Sequence, residues 1–212
     1  MYVRYLKRPL DMVTALLLLL LLLPLFLLLT VLGTVIMKGN PFFLQPRPGR
    51  NEQIFYLIKF RTMSGEKDPQ GNLLPDCLRL NGYGKFLRKT SLDELPELLN
   101  ILTGKMSLVG PRPLLCSYLP YYTCRERRRH SVRPGLTGLA QVSGRNALAW
   151  DQRFALDAAY VDHITFLGDL KILLRTVGKV ISREDVLMGK EKCMENLDVE
   201  RRKRFDSEKN TG

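Results

Sequence analysis

The residues most able to do chemistry form an acidic pair, Asp93 and Glu94, within the stretch FLRKTSLDELPELLNIL. A carboxylate that stays ionised among cations can attack phosphorus or hold a divalent cation. Arg88 and Lys89 precede the pair and supply such cations. Alternatively, the two acids only start a helix, because acidic side chains are favoured in a first helical turn. The residues alone leave both interpretations open.

Two helix starts are compatible with this stretch. Ser91 and Glu94 have the spacing of a capping box, which would place Asp93 and Glu94 in the first turn. Pro96 favours a later start, because proline fits the first helical position better than a deeper one. In both versions the carboxylates lie at or just before a helix amino terminus, whose positive end favours their ionised form.

A β-hairpin is predicted where two apolar runs flank the turn-forming segment RPGRN at 47–51. The two-residue period of its second strand places Lys59 and Arg61 on one face and Ile58 and Phe60 on the other. Two neighbouring cations could clamp a phosphate. They could equally cover a solvated strand face, and this stretch does not decide between the two.

Two further arginines stand in segments shaped by proline and glycine. Arg112 lies between Pro111 and Pro113, which restrict its backbone and present the guanidinium with little entropy left to lose. Arg145 ends the segment VRPGLTGLAQVSGR, whose glycines allow close backbone approach. Arginines can grip phosphate oxygens in bidentate fashion. The glycine spacing matches neither the Walker nor the dinucleotide-binding pattern.

Composition narrows the class of protein. With 33 Lys and Arg against 21 Asp and Glu, the net charge of +12 suits an anionic partner such as nucleic acid, anionic lipid or a phosphorylated substrate. No nucleic-acid-binding motif is present, and the basic residues are spread among loops. The four cysteines form no CxxC pair and there are two histidines. We therefore expect neither a zinc site nor a disulfide framework, and we expect the cysteine thiols to be reduced.

The leucine-rich segment from Val13 to Met37 has 25 residues without a charge. As one straight helix it would reach roughly 37 Å, enough for a hydrocarbon core of roughly 30 Å. Pro24 kinks it instead into two arms, each under roughly 20 Å and too short to span. Basic residues on both sides fit a hairpin in one leaflet, although a single span is also compatible. The run is too long for a signal peptide and lacks a cleavage site, so we expect it to be retained.

The remaining segments predict helices and a tail. Helical spacing appears around 151–163 and again at 166–181. The second of these helices carries an apolar stripe that we expect to pack against the body: Leu167, Leu170, Leu174, Val177 and Ile181. The segment YLPYYTCRERRRH at 118–130 is either an interfacial element on anionic lipid or an exposed basic helix. The charged end from Lys190 is expected to be mobile.

Taken together in their order, several motifs resemble one family. These are LKRPLD, a broken apolar helix, RPG, KFRTM, SLDELPELLN, MSLVGPRP and RPGLTGLAQVSGRN, spread over about residues 3 to 181. The combination resembles the bacterial sugar transferases, small monotopic polyprenyl-phosphate phosphoglycosyl transferases. One departure is Leu23, because many members have a serine before the proline, and this leaves the angle of the break open.

The resemblance implies an activity. Members transfer a phosphosugar from a UDP-sugar to polyprenyl phosphate, release UMP and require Mg²⁺, which starts a glycan for downstream glycosyltransferases. By resemblance, Asp93 is the nucleophile and a metal ligand, and Glu94 assists. We predict that the substrate pocket is lined by Lys59, Arg61, Arg88, Arg112 and Arg145. The alternatives are a related enzyme acting on a CDP-linked donor and a membrane-anchored basic binding protein for lipid or nucleic acid.

The resemblance also implies an architecture. We expect an α+β, mainly helical fold with a re-entrant membrane helix broken at Pro24, a small β-hairpin, interfacial helices and a compact cytoplasmic catalytic domain. The expected divisions are a membrane hairpin at 1–40, a catalytic domain at 41–185 and a polar tail at 186–212. The expected location is the cytoplasmic face of the bacterial inner membrane. The bilayer is an expected partner, nucleic acid is not, and a homodimer is possible.

Overall fold

The computed structural model describes residues 1–144, 148–182 and 196–209, most of them helical. The helices are α1 (Lys7–Leu21), α2 (Leu23–Ile36), α3 (Asp76–Arg79), α4 (Gly82–Thr90), α5 (Glu97–Leu102), α6 (Cys124–Arg127), α7 (Leu139–Ser143), α8 (Trp150–Asp162), α9 (Phe166–Ser182) and α10 (Leu197–Lys209). The strands are β1 (Phe42–Pro48), β2 (Ile54–Phe60), β3 (Ser107–Val109) and β4 (Gly135–Thr137). The prediction of a mainly helical α+β chain with a small hairpin is confirmed.

The leucine-rich segment forms two helices that meet at a sharp bend. Helices α1 and α2 differ in direction by 66°, and the break lies at Leu22, two residues before Pro24. Pro24 falls in the first turn of α2, where its missing N–H costs no hydrogen bond. In the part of the chain that the structure describes, no single helix is long and apolar enough to cross a membrane. The two helices of the bent pair meet the length and hydropathy criteria only when they are taken together.

Buried polar contacts fasten this helix pair to the body. The Asp11 carboxylate accepts hydrogen bonds from the Ser107 hydroxyl at 2.5 Å and from the Leu108 N–H at 3.3 Å. Lys7 Nζ lies 2.5 Å from the Asp169 carboxylate. Because charged groups are expensive to bury without partners, these contacts hold α1 in one orientation.

Within the described ranges, the strands form two small sheets. β1 and β2 pair antiparallel with Phe42 opposite Phe60, as the hairpin prediction required. β3 and β4 pair in parallel, with Val109 opposite Thr137. The second sheet was not predicted from the sequence, because strands of three residues are too short to show a two-residue period. It places the segment that follows α5 beside the glycine-rich segment.

Two apolar clusters form the core. The first joins both arms of the helix pair to the body and includes Ala15, Leu29, Phe60, Leu87, Leu98, Ile101, Met106 and Val109. The second lies under the start of α8 and comprises Leu114, Tyr118, Tyr122, Trp150, Phe154 and Leu197. Burial of these side chains is the main source of stability, at about 25 cal/mol per Å² of apolar surface.

The apolar stripe of α9 does not pack as predicted. Its side chains are exposed, from 41% for Leu170 to 73% for Leu167, while Asp169 and Ile172 are buried. The prediction therefore chose the wrong face of α9. The helix contacts the body through the face that contains the charged Asp169. Leu174 and Val177 are exposed with it, and Ile181 lies outside the described side chains.

The basic segment 118–130 is not the single exposed basic helix that was one of its two predictions, and its placement on lipid stays a prediction. It consists of a 3-10 turn (Cys116–Tyr121), α6 and a second 3-10 turn (Arg128–Ser131). Its arginines pair with carboxylates of the protein itself: Arg127 with Glu52, Arg128 with Asp162 and Arg129 with Asp157. The positive charges are thus largely neutralised within the fold.

The described part of the charged end, residues 196–209, also differs from the prediction made for the tail from Lys190. Helix α10 was expected to be mobile, yet its Leu197 is fully buried in the second cluster. Arg201 lies 2.6 Å from Glu126 and 3.0 Å from Asp151. One apolar residue and one ion-paired arginine therefore dock a helix whose composition is otherwise polar.

Gly84 in α4 is expected not to tolerate a methyl group. A Cβ there would lie 1.9 Å from the Thr62 carbonyl oxygen, whereas one at Gly82 of the same helix would meet nothing within 4 Å. Gly84→Ala should therefore lower the free energy of unfolding by about 1–3 kcal/mol, and Gly82→Ala should change it little. Thermal unfolding of both variants in detergent measures the difference. Equal midpoints would contradict the close helix packing.

Candidate active site

The acidic pair lies in a short turn between two helices. Helix α4 ends at Thr90, the next residue Ser91 has a left-handed backbone (φ 55°), and Leu92–Glu94 form a 3-10 turn. Helix α5 begins immediately after Pro96. The capping-box interpretation is wrong, because the Ser91 side chain makes no capping hydrogen bond. The later start is confirmed, and both carboxylates lie just before a helix amino terminus.

A cleft of about 960 Å³ opens at this turn. Asp93 and Glu94 line it together with four of the predicted cations: Lys59, Arg61, Arg88 and Arg112. The structure thus brings together residues that are up to 53 positions apart in the sequence. Arg145, the fifth predicted cation, lies outside the described residues, and its place in the site stays a prediction.

Glu94 is held by two of these cations. Its Oε1 accepts hydrogen bonds from Arg112 Nη2 at 2.6 Å and from Lys59 Nζ at 2.9 Å. Burial alone would raise the pKa of Glu94, but the charges of Arg112 and then Lys59 outweigh it and hold the pKa well below its usual range. Glu94 is therefore ionised at neutral pH, and it orders the two cations.

Glu97 is a third carboxylate at the site and was not predicted from the sequence. It is 2% exposed, and its Oε1 lies 3.1 Å from Lys59 Nζ without an aligned hydrogen bond. Burial, and then the negative charge of Glu94, raise the pKa of Glu97. The only signal available was its position three residues after Glu94, which places both side chains on the same side of a helical turn.

Asp93 differs from both glutamates. It is half-buried, and no described residue donates a hydrogen bond to its carboxylate. Burial, and then the charge of Glu94, raise its pKa, while Lys59, Arg112 and Arg88 act in the opposite direction. A carboxylate that faces a cationic cleft and is not committed to an ion pair is the one best suited to bind a substrate or attack it.

Two anchors place Lys59 and Arg112. The amide of Asn100 on α5 accepts a hydrogen bond from the Ile58 N–H at 3.0 Å and donates one to the Tyr56 carbonyl at 2.8 Å, which joins α5 to β2 beside Lys59. The carbonyl of Arg112 accepts a hydrogen bond from Arg129 Nη2 at 2.6 Å.

The buried Arg129 is itself fixed by its ion pair with Asp157 at 2.9 Å. The basic segment 118–130 therefore contributes to the site, because one of its arginines holds the backbone that presents Arg112. Arg88 is placed separately, through a 3.1 Å hydrogen bond from its Nε to the Thr62 hydroxyl.

An apolar groove of about 300 Å³ adjoins the cleft. Ser91 and Glu94 line both spaces. The groove passes between α5, the β3–β4 sheet and α9, and it reaches Leu18 and Leu22 at the bend of the helix pair. Most of the side chains that line it are aliphatic. One site thus has a cationic half and an apolar half that ends at the hairpin bend.

The carboxylates of the cleft fit a cation that is bound through few protein ligands. In the described part of the chain, no three or more His, Cys, Asp or Glu side chains form a metal-holding group. Mg²⁺ is often bound through one or two carboxylates together with substrate phosphates and water. Asp93, whose carboxylate receives no hydrogen bond from the described residues, is a donor of this kind, so the residues present fit such an ion.

Comparison with known proteins gives consistent results. The chain is 52% identical over 182 residues to the uncharacterized sugar transferase EpsL of Bacillus subtilis, covering 85% of this chain and 90% of that protein. It is 40% identical to the UDP-glucose:undecaprenyl-phosphate glucose-1-phosphate transferase of Caulobacter vibrioides, covering 84% and 71%. It is 37% identical to the undecaprenyl-phosphate galactose phosphotransferase of Salmonella typhimurium, covering 86% and 41%.

The family profile described as bacterial sugar transferase matches residues 2–183. This match spans both arms of the helix pair, the cleft and the groove. The family predicted from the motifs is therefore confirmed: the chain is an enzyme of the bacterial sugar transferase family.

Proposed function

We propose that this enzyme transfers a phosphosugar from a UDP-sugar to polyprenyl phosphate, giving polyprenyl-diphosphate-sugar and UMP. The observation that carries the proposal is the continuity between the cationic cleft and the apolar groove through Ser91 and Glu94. The donor is a soluble diphosphate and the acceptor is a phosphate on a long apolar chain. A site that joins these two environments suits both substrates.

Two relatives support the choice of substrates. Their names specify undecaprenyl phosphate as the acceptor, with glucose in one case and galactose in the other. The two sugars differ, so the relatives support the reaction class and leave the sugar of this enzyme to experiment.

In the proposed reaction Asp93 is the nucleophile. Its carboxylate oxygen attacks the phosphorus that carries the sugar, the bond from this phosphorus to the bridging oxygen breaks, and UMP leaves with that oxygen. A phosphate oxygen of polyprenyl phosphate then attacks the same phosphorus and releases Asp93. The charge balances in both steps, because each exchanges one anionic oxygen for another.

The cations make the approach of one anion to another possible. Arg112 and Lys59, ordered by Glu94, and Arg88, ordered by Thr62, present positive charge to the phosphates before the reaction begins. Bound Mg²⁺ would neutralise phosphate charge and stabilise the leaving group. Asp93 is the residue that would hold it.

The same proposal places the helix pair in the membrane. Both arms expose long runs of apolar side chains, as do Leu167, Leu170 and Leu174 of α9. A re-entrant hairpin in one leaflet, with α9 lying on the surface, would cover these side chains with lipid. With Lys7 and Arg8 before the hairpin and Lys38 after it, the body would lie on the cytoplasmic face of the inner membrane.

The proposal is tested with the full-length protein in detergent, Mg²⁺, undecaprenyl phosphate and a panel of UDP- and CDP-sugars. UMP release with one UDP-sugar, and formation of the lipid-linked sugar, is the expected result. CMP release instead would select the CDP-donor alternative. Absence of nucleotide release with every donor, from folded protein, would contradict the proposed reaction and favour a binding protein.

A further inference from the structure

A second cavity, of about 760 Å³, lies where the amino terminus meets the body. No described residue lines both this cavity and the catalytic cleft. Among the described residues, five cations line the second cavity, namely Arg4, Lys7, Arg8, Arg50 and Arg133, whereas Asp11 is the only acidic residue in the lining. The cavity is therefore built for an anion.

Few of these charges are neutralised by the protein. Among the residues that the structure describes, only Lys7 of the five forms an ion pair, with Asp169 at 2.5 Å. Arg8 donates to the Ile101 carbonyl at 2.7 Å, and Arg133 donates to a carbonyl as well. Carbonyl oxygens orient a guanidinium without cancelling its charge. Asp11 offsets at most one of the remaining four.

The carbonyls that orient these arginines belong to one place in the fold. Arg8 donates to the Ile101 and Leu102 carbonyls, and Arg133 donates to the Gly104 carbonyl at 2.9 Å. All three carbonyls lie at the carboxyl end of α5, whereas the catalytic turn lies at its amino end. Six helical residues separate the two ends by about 9 Å. The cavity is thus a separate site that is attached to the same helix.

The side chains around the cavity indicate which kind of molecule the bound anion belongs to. Val3 and Phe166 line it and are half-exposed, and the neighbouring Tyr5 and Leu6 are exposed as well. These residues precede the membrane hairpin or begin α9, so the cavity opens where the proposed hairpin enters the bilayer. Apolar and aromatic side chains beside a cationic cavity suit a lipid, with its phosphate inside and its acyl chains along the rim.

We infer that this cavity binds the phosphate head group of an anionic phospholipid. A zwitterionic head group would bring an ammonium group next to four arginines, which disfavours it. Ser131 and Thr165, which also line the cavity, offer hydroxyl donors to the phosphate oxygens. The inference depends on the proposed membrane hairpin and not on the sugar-transfer reaction.

The experiment compares lipids and variants on the full-length protein in detergent. Native mass spectrometry counts retained dioctanoyl phosphatidylglycerol or dioctanoyl phosphatidylcholine across a titration. Arg50→Glu tests the cavity, because Arg50 is exposed and its replacement should not prevent folding. Arg133→Gln is a second test. The control is Arg125→Glu, an equal change of charge at an exposed arginine outside the cavity.

The wild-type protein and Arg125→Glu should retain phosphatidylglycerol in preference to phosphatidylcholine, and Arg50→Glu should bind it about tenfold more weakly. Equal retention of the two lipids, or equal loss in Arg50→Glu and Arg125→Glu, would overturn the inference. Displacement of phosphatidylglycerol by stoichiometric undecaprenyl phosphate would also overturn it, in favour of an acceptor site. UMP release measured in parallel separates this result from the fate of the proposed reaction.

Discussion

Replacing Asp93 with asparagine is expected to lower the rate of UMP release by at least about 10³-fold. The amide keeps the shape of the side chain but is a poor nucleophile for phosphorus. With donor and no acceptor, the wild-type protein should gain the mass of one sugar phosphate, and the variant should gain none. Intact-protein mass spectrometry and UMP release measure the two effects.

Loss of folding should not explain that result. Burial raises the pKa of Asp93, so its ionised form costs stability at neutral pH and the neutral amide removes this cost. The unfolding midpoint of Asp93→Asn should therefore equal or exceed that of the wild type. Asp76→Asn, at a side chain that is 75% exposed and outside the cleft, is the matched control and should keep full activity. UMP release that survives in Asp93→Asn would remove Asp93 as nucleophile.

Replacing Lys59 with methionine is expected to lower the free energy of unfolding by about 3 kcal/mol. Lys59 Nζ lies between Glu94 and Glu97, at 2.9 Å and 3.1 Å. Without it, Glu94 keeps its ion pair with Arg112, but the buried Glu97 has no ion-pair partner among the described residues. Removing one partner of a buried ion pair is costly because the remaining charge stays desolvated. Chemical unfolding in detergent measures the change.

Combining Glu97→Gln with Lys59→Met tests whether the unpaired charge of Glu97 causes the loss of stability. Glu97→Gln removes the buried charge while keeping its shape, so the double variant should recover about 1–2 kcal/mol of the loss. The Glu97 carboxyl group also makes stability depend on pH, because burial and the charge of Glu94 raise its pKa from 4.5 to about 7. The folded state then binds the extra proton, and stability falls as pH rises from about 4.5 to 7. Glu97→Gln should remove this fall in stability. If the effects of Lys59→Met and Glu97→Gln on the free energy of unfolding were strictly additive, the coupling between the two residues would be contradicted.

The motif residues could be predicted because their chemistry is local. SLDELPELLN specifies two carboxylates before a helix, and Pro111 and Pro113 specify a restrained Arg112. The hairpin followed from its turn residues and the two-residue period of its strands. None of these features depends on which part of the chain packs against them.

Predictions that depended on burial fared less well. The stripe of α9 was predicted to pack, but it is exposed, since the helix contacts the body through another face. That face contains Ile172 and Asp169, which bonds Lys7 and Tyr160. A periodic apolar face shows that something apolar covers a helix, and it does not show whether protein or lipid does. Arg129 similarly looked like one of a run of surface charges, yet its 3% exposure and its bond to Arg112 make it part of the site's support.

The sequence by itself determined the family, the bent apolar hairpin, and the acidic pair with four of the cations that line its cleft. Tertiary structure alone decided that Glu94 orders Lys59 and Arg112 while Asp93 remains available, because that division depends on distances of 2.6 to 2.9 Å between distant segments. It alone also joined the cationic cleft, at Ser91 and Glu94, to an apolar groove that ends at the hairpin bend. Local residue types set which groups can react, and packing sets which of them are free to do so.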